Sequence, residues 1–340
     1  MKNKILITGC AGFIGMHLCR KFLENNFIVI GVDNLNNYYD VKIKKSRVSI
    51  LKKYKNFYFK KKDLKDKNCL SNIYKTHNFK KIIHLAAQAG VRYSLDFPEE
   101  YTKNNIDVFL NILEFSKKYK IKHLLYASSS SVYGTNTKYP FSEEDDVDHP
   151  ISMYAVTKRS NEFMAHAYSH LYKIPTTGLR FFTVYGPYGR PDMALFKFTK
   201  NILNNNKIDV YNHGNMYRDF TYVDDTVSRV YQIFLKGPIM KNYNLKLNNR
   251  PDESSAPFNI FNIGNNKKTK LKRFLKILET KLKKKAKVNY MSIQKGDVKS
   301  TVSSNKKLSN FIKIDKITNH KIGIENFVNW YLDFYGFGKK

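Results

Sequence analysis

Tyr154 and Lys158 lie four residues apart at the head of an apolar-periodic run (Tyr154, Ala155, Phe163, Met164, Ala167, Tyr168, Leu171). That periodicity predicts an amphipathic helix, on which residues four apart share one face, a turn from each other. A phenol beside an ammonium can serve as a base. The positive charge favours phenolate and draws the phenol's pKa down from about 10 towards neutral. Any helix can carry such a pair by chance, so its chemistry depends on what the rest of the chain brings to it. One contribution is a run of four hydroxyls, Ser128 to Ser131, which closes the strand pattern His123-Leu-Leu-Tyr-Ala and precedes Val132-Tyr-Gly134. Four serines are poor packing material at a strand end, and short donors aimed at a ligand oxygen explain them better.

The elements that would position these groups start at the N-terminus. A buried-strand pattern over residues 4–8 runs into Gly9-Cys-Ala-Gly12-Phe13-Ile14-Gly15, and a helical pattern follows to about residue 24. In that order the glycines have distinct uses. The first permits a tight turn, the second lets backbone approach a pyrophosphate, and the third lets helix pack on strand. The phosphates would then meet unpaired N–H groups at the helix N-terminus. The next strand, Phe27 to Val32, ends in Asp33, whose carboxylate suits both ribose hydroxyls of adenosine and repels a 2′-phosphate, so NAD is expected over NADP. Asp63-Leu64, after strand Phe57-Tyr-Phe, is placed to meet the adenine. Lys81 to Ala87 reads as the fourth parallel strand. It leads into Gln88-Ala-Gly-Val-Arg92, a small-residue loop where open α/β sheets bind ligands, and a helix is expected over 99–118 with Asn105 near its start.

Composition bounds the alternatives. At 340 residues, 42% of them hydrophobic, the chain can bury a large core. No apolar run approaches the length that spans a bilayer. Met1-Lys-Asn-Lys4 enters the first strand without a signal-peptide pattern. Cys10, Cys19 and Cys69 lack metal spacing and fit a reducing cytoplasm, so neither a disulfide frame nor a metal site is expected. The balance of 60 Lys+Arg against 28 Asp+Glu gives a formal charge of +32. The Lys clusters (Lys60 to Lys62, Lys117-Lys118, Lys281 to Lys287) have little aromatic interleaving and no nucleic-acid motif, so they read as solvated surface. Neither a specific nucleic-acid partner nor membrane insertion is expected.

The glycine spacing, Asp33, Leu85-Ala86-Ala87, Ser129, Tyr154 and Lys158 together resemble the extended short-chain dehydrogenase/reductases that act on nucleotide sugars. Arg180-Phe-Phe-Thr-Val-Tyr-Gly-Pro187, Arg190-Pro-Asp-Met-Ala194, Arg218-Asp-Phe-Thr-Tyr-Val-Asp-Asp225 and the run His84 to Ser94 look like the UDP-glucuronate 4-epimerases in particular. The resemblance implies an α/β fold: a Rossmann-like doubly wound parallel sheet with a smaller, discontinuous C-terminal substrate domain. It puts residues 1–184, with about 221–267, in the NAD-binding part and about 185–220 with 268–340 in the substrate part. It implies tightly bound NAD, held by Gly9, Gly12, Phe13, Ile14, Gly15, Asp33, Asn34, Asp63, Leu64, Leu85, Ala86, Ala87, Asn105, Tyr154, Lys158 and Phe181. Ser129, Tyr154 and Lys158 would be catalytic. The UDP-sugar would meet Arg92, Ser129, Ser130, Thr183, Arg190, Tyr211, Arg218 and Asp297. Thr183 and Arg190, with Ser130, match positions that hold a sugar carboxylate in these enzymes, and Arg218 the one that pairs with the diphosphate.

Neighbouring activities fit less well. The dehydratases carry an acidic pair before the Val-Tyr-Gly, and the decarboxylases carry Glu where Ser131 stands. A 4-epimerase of neutral UDP-hexoses usually has Asn at Thr183 and has no need of Arg190. A silent polyanion-binding protein on the same fold would leave the Ser129/Tyr154/Lys158 set unexplained. Family likeness also implies a homodimer packed through helices 99–118 and 154–171, and a cytoplasmic enzyme supplying surface polysaccharide. The likeness thins after residue 240. Lys295 replaces a usual Pro in Gln294-Lys-Gly-Asp297, and Thr301-Val-Ser-Ser304 replaces Thr-x-Ala-Asp.

Overall fold

The computed structural model describes residues 4–239, 250–314 and 317–337. Of the domain ranges expected above, 1–3, 240–249, 315–316 and 338–340 lie outside the described residues. The chain opens β1 (Lys4–Thr8), α1 (Phe13–Glu24), β2 (Ile28–Asp33), α2 (Val41–Lys52), β3 (Phe57–Lys61), α3 (Cys69–His77) and β4 (Lys81–His84). Two short helices, α4 (Tyr93–Asp96) and α5 (Pro98–Tyr101), precede α6 (Val108–Lys118), β5 (His123–Ser129), α7 (Met153–Tyr172), β6 (Thr176–Phe181) and β7 (Thr183–Tyr185). Then come α8 (Ala194–Leu203), β8 (Lys207–Tyr211), β9 (Tyr217–Tyr222), α9 (Val223–Lys236), β10 (Phe258–Ile263), β11 (Lys268–Lys270), α10 (Leu271–Leu282), β12 (Lys287–Met291), α11 (Lys306–Phe311) and α12 (His320–Phe334).

Seven strands form one sheet in the order β10-β6-β5-β4-β1-β2-β3, every pair parallel. The order reverses between β1 and β4, so the loops after those strands part and leave a crevice at their C-terminal ends. Helices cover both faces, which is why the strands are apolar on both sides. In β1, Ile5 and Ile7 belong to one hydrophobic cluster and Leu6 to the other, on opposite faces of the pleat. The first cluster does not stop at the sheet. It runs from Ile5 and Phe22 through Phe234 and Phe261 to Phe274, Phe327 and Tyr331, so one core joins the seven-stranded sheet to the C-terminal helices. β7, β9 and β11 form a second sheet, and β8 pairs with β12 in a third. No described helix is long and apolar enough to cross a membrane.

The expected helix over 99–118 is broken. α5 is followed by a π-helical turn over Thr102–Asp107 before α6 begins. The reason is Asn105. Its side-chain amide donates to the Gln88 carbonyl (3.0 Å) and Thr157 Oγ1 (3.1 Å), its Oδ1 accepts from Gln88 N (2.8 Å), and its backbone carbonyl accepts from Asn161 Nδ2 (2.8 Å). A carbonyl bound by a side chain on α7 needs the wider turn, and such bulges recur beside functional sites. The fourth strand ends at His84, three residues earlier than expected. Beyond it, Leu85 N donates to Thr8 O and the chain leaves the ladder.

Candidate active site

The turn after β1 is set by backbone bonds: Gly9 N donates to Val32 O (2.8 Å) and Gly12 N to Gly9 O (2.9 Å). Gly9 has φ +70°, in the region glycine occupies without strain. The third glycine is required by space, since a Cβ on Gly15 would lie 2.0 Å from Gly9 O. α1 then begins with Gly12 as its N-cap, with no capping side chain and no acid in its first turn. Its first N–H groups are left to an anion, which fits a pyrophosphate.

Asp33 closes β2. Its Oδ2 accepts from Ala11 N (3.1 Å) and Oδ1 from Leu35 N (2.8 Å). Burial pushes its carboxyl up from the usual range, opposed by those amides and by Lys44 and Arg47. Asn34 Nδ2 donates to Asp63 Oδ2 (3.2 Å), so two of the expected adenosine contacts brace each other. Lys44, which sequence reasoning missed, reaches the same wall. Its ammonium donates to Asn36 O (2.7 Å) and burial lowers its pKa to about 8. Position 44 lies among several lysines of an ordinary amphipathic helix, and nothing in the sequence distinguishes it from them.

A single cleft runs from this wall to the far side of the sheet edge. Its lining includes Gly9, Gly12, Phe13, Ile14, Gly15, Asp33, Asn34, Asp63, Leu64, Leu85, Ala86 and Ala87 at one end. Ser129, Ser130, Tyr154, Lys158, Phe181, Thr183, Arg190, Arg218 and Asp297 line the other. Three expected contacts are not on that lining. Asn105 is 2% exposed and committed to Gln88 and Thr157. It braces the loop behind the cleft wall. Arg92 lies at the mouth, paired with Asp297 (3.0 Å) and stacked over the Tyr211 ring, 4.4 Å from its centroid.

Tyr154 and Lys158 occupy the first turns of α7, whose N-cap Ser152 accepts from Ala155 N. Lys158 Nζ donates to Ala127 O (3.0 Å), and burial alone lowers its pKa to about 8. Tyr154 corrects the expectation that Lys158 draws its pKa down. Burial raises it, and the groups that oppose burial are Ser129 and then Arg190. The serines also divide their work. Ser128 is spent on structure, donating to Glu162 Oε1 (2.6 Å), while Arg180 grips Glu162 with Nε and Nη2 (both 2.9 Å). Ser129 donates to Ser131 Oγ and accepts from Ser131 N (both 3.1 Å), which ties together two serines that line the cleft.

At the sugar end, Arg218 hydrogen-bonds Tyr217 O (2.9 Å) and lies 3.7 Å from Asp297. Arg190 holds Asp192, and Tyr38 donates to the same carboxylate (3.1 Å). Neither Tyr38 nor Asp192 was predicted. Asp192 lies inside a motif quoted for its Arg, and its spacing of two from Arg190 was the available signal. The divergent segment near residue 300 is docked by Asp219, which accepts from Ser303 Oγ (2.6 Å) and N (3.0 Å).

A glycine cradle, an acid at the second strand end and a buried Tyr/Lys pair on one parallel-sheet edge define a Rossmann-type NAD-dependent enzyme. Residues 5–245 match the NAD dependent epimerase/dehydratase family, and the chain belongs to that family. It is 51% identical to protein CapI of Staphylococcus aureus, covering 98% of this chain and 99% of that one. It is 42% identical to a probable UDP-glucuronate 4-epimerase of Rhizobium meliloti, with 96% of each covered. Among solved structures it resembles UDP-glucuronic acid 4-epimerase from Bacillus cereus in complex with UDP-glucuronic acid and NAD, with a TM-score of 0.86 and 31% identity over 98% of this chain and 100% of that one. UDP-glucose 4-epimerase of Thermotoga maritima follows at 0.82 and 28%, over 98% and 99%.

Proposed function

We propose that this UDP-sugar 4-epimerase interconverts UDP-glucuronate and UDP-galacturonate. The chain is an NAD-dependent 4-epimerase of UDP-sugars, and its own residues supply the proton chemistry. Tyr154 as phenolate takes the proton of the sugar 4-hydroxyl as the C4 hydride leaves, and returns it when hydride comes back on the other face. Ser129 hydrogen-bonds the reacting oxygen. Lys158 would bind the nicotinamide ribose, and the hydrogen bond of its ammonium to Ala127 O steadies the side chain. NAD supplies the hydride acceptor and donor. Because no net oxidation occurs, it stays bound through the cycle. Ser129 and Arg190 favour phenolate against burial, and the positive charge of bound NAD would add to them.

The uronate reading rests on one observation: Thr183 and Arg190, a hydroxyl and a guanidinium, line the cleft that holds Tyr154. The 4-keto form of glucuronate is a β-keto acid and loses carbon dioxide if its carboxylate aligns with the carbonyl, so an epimerase must hold that group as well as recognise it. Hydrogen bonds from Thr183, Arg190 and Ser130 suit that task. Arg218 would take the diphosphate, and Asp297 with Arg92 and Tyr211 would border the nucleoside. We assign NAD to residues 1–184 with 221–267 and the sugar to 185–220 with 268–340. We also expect a cytoplasmic homodimer, since Leu110, Phe163 and Leu171 are exposed on α6 and α7, and a product that feeds polysaccharide synthesis.

The test adds purified protein to UDP-glucuronate without cofactor and follows anomeric protons by NMR. UDP-galacturonate supports both the substrate and the retained NAD. A UDP-pentose means that the carboxylate is not held. No change, with turnover of UDP-galactose instead, favours the neutral-hexose epimerase.

A further inference from the structure

Arg190 does not present its guanidinium fork to the sugar. Nε (2.9 Å) and Nη2 (2.5 Å) hold the two oxygens of Asp192, and Tyr38, from the loop after β2, donates to Asp192 Oδ2 (3.1 Å). The turn between the pair is closed by Met193 N on Arg190 O (3.1 Å). A fork-to-carboxylate pair is the strongest planar recognition that a guanidinium offers, and here it is made inside the protein. Nη1 has no hydrogen-bond partner among the described residues, and Arg190 lines the cleft beside Tyr154.

We propose that Asp192, steadied by Tyr38, is a positioning residue that restricts Arg190 to a single-point contact with the sugar's C5 carboxylate and so sets both preference and turnover for a uronate. This rests on the uronate reading above. A 4-epimerase must let a 4-keto ring turn to show its other face, so the C5 substituent is set down in two places. A full bidentate grip in either place would stabilise that placement and raise the barrier to turning, since binding that favours a resting form opposes the rate. One nitrogen of a guanidinium whose charge is already countered recognises the anion without trapping it. Asp192 also sets a negative charge near the incoming carboxylate, so uronate affinity is held below what Arg190 alone would give.

The experiment compares wild type, Asp192→Asn and Tyr38→Phe by kcat and KM for UDP-glucuronate, by affinity for UDP-glucose, and by absorbance of reduced nicotinamide at steady state. Asp192→Asn frees one charge-assisted hydrogen bond, so KM for UDP-glucuronate should fall about tenfold and kcat should fall by a similar factor. Reduced nicotinamide should accumulate as the ring is held, and UDP-glucose affinity should stay within about twofold. Tyr38→Phe keeps both charges, should shift KM and kcat in the same directions by about two- to threefold, and remains informative if the Asn variant fails to fold. Equal losses for both sugars, or no split between KM and kcat, overturn the proposal. Wild type inert towards UDP-glucuronate overturns the uronate reading and this inference with it, whereas an active wild type with indifferent variants overturns this inference alone.

Discussion

Lys158 is charged at neutral pH although it is 3% exposed and its ammonium has, among the described residues, one hydrogen-bond partner, the Ala127 carbonyl. Burial lowers its pKa from 10.5 to about 8. At about 1.4 kcal/mol per decade of proton affinity, keeping that charge inside costs the fold about 3 kcal/mol. Lys158→Met has a similar stem and no charge. It forfeits the hydrogen bond to Ala127 O, about 1 kcal/mol, so the nucleotide-free variant should be about 2 kcal/mol more stable than wild type at pH 7. The sign follows from linkage. Between pH 8 and 10.5 unfolded wild type holds a proton on this lysine that the folded chain has shed, so wild-type stability rises with pH through that window. The variant has no such titration, so its advantage should shrink as pH rises, vanish near pH 9.5 and turn to about 1 kcal/mol in favour of wild type by 10.5. Urea unfolding of both proteins at pH 7 and 10.5 reads this directly, while epimerase activity should fall by about 10²-fold or more. A variant less stable at pH 7, or a stability gap indifferent to pH, would refute the reasoning. The ammonium would then be compensated where the structure leaves it to desolvation.

Other substitutions separate chemistry from scaffold. Tyr154→Phe should lower turnover about 10²- to 10⁴-fold with NAD still bound, measured by NMR turnover and by nucleotide released on denaturation. Gly15→Ala puts a Cβ where Gly9 O already is. Purified protein should have lost its NAD and about 1–3 kcal/mol or more of stability, by nucleotide content and urea midpoint. Glu162→Gln leaves buried Arg180 without its counter-charge and should destabilise by about 3–5 kcal/mol in urea. In wild type, burial raises Glu162's pKa but Arg180 and its hydrogen bonds outweigh it and hold the carboxyl below the usual range. Its contribution is therefore complete above the ordinary carboxylate range and lost as pH falls below it, and that acid limb should be absent from the Gln variant.

The cofactor half could be read from the sequence because its signals are local. Gly9, Gly12 and Gly15 answer to a turn of seven residues, and Asp33 to the end of a short strand. Long-range partners were harder. That Asn105 shapes the loop behind the cleft depends on Gln88 and Thr157, 17 and 52 residues away. Ser128 differs from Ser129 only because Glu162 lies behind it. The pairing of Tyr38 with Asp192 spans 154 residues. Neither periodicity nor spacing encodes such contacts, since the fold alone brings those side chains together. Spacing placed Tyr154 and Lys158 on one helix, but the phenol's acidity answers first to burial, which raises its pKa, and then to Ser129 and Arg190, which oppose it.

β7 takes up the chain two residues after β6 leaves the large sheet, and both Phe181 and Thr183 line the cleft. The stretch from Thr183 to Asp192 carries the hydroxyl, the guanidinium and the counter-charge on which the uronate proposal rests, and its turns are closed by its own backbone, with Gly189 N on Gly186 O. On the uronate reading, Thr183, Arg190 and Asp192 thus lie within about ten consecutive residues, separate in sequence from Gly9, Gly12, Gly15 and Asp33, with Ser130 and Tyr38 contributing from elsewhere. Ancestral duplicates could change sugars by altering this short segment alone, keeping an intact redox apparatus while the carboxylate site was lost or regained. The same segment is the natural cassette for a laboratory exchange of specificity.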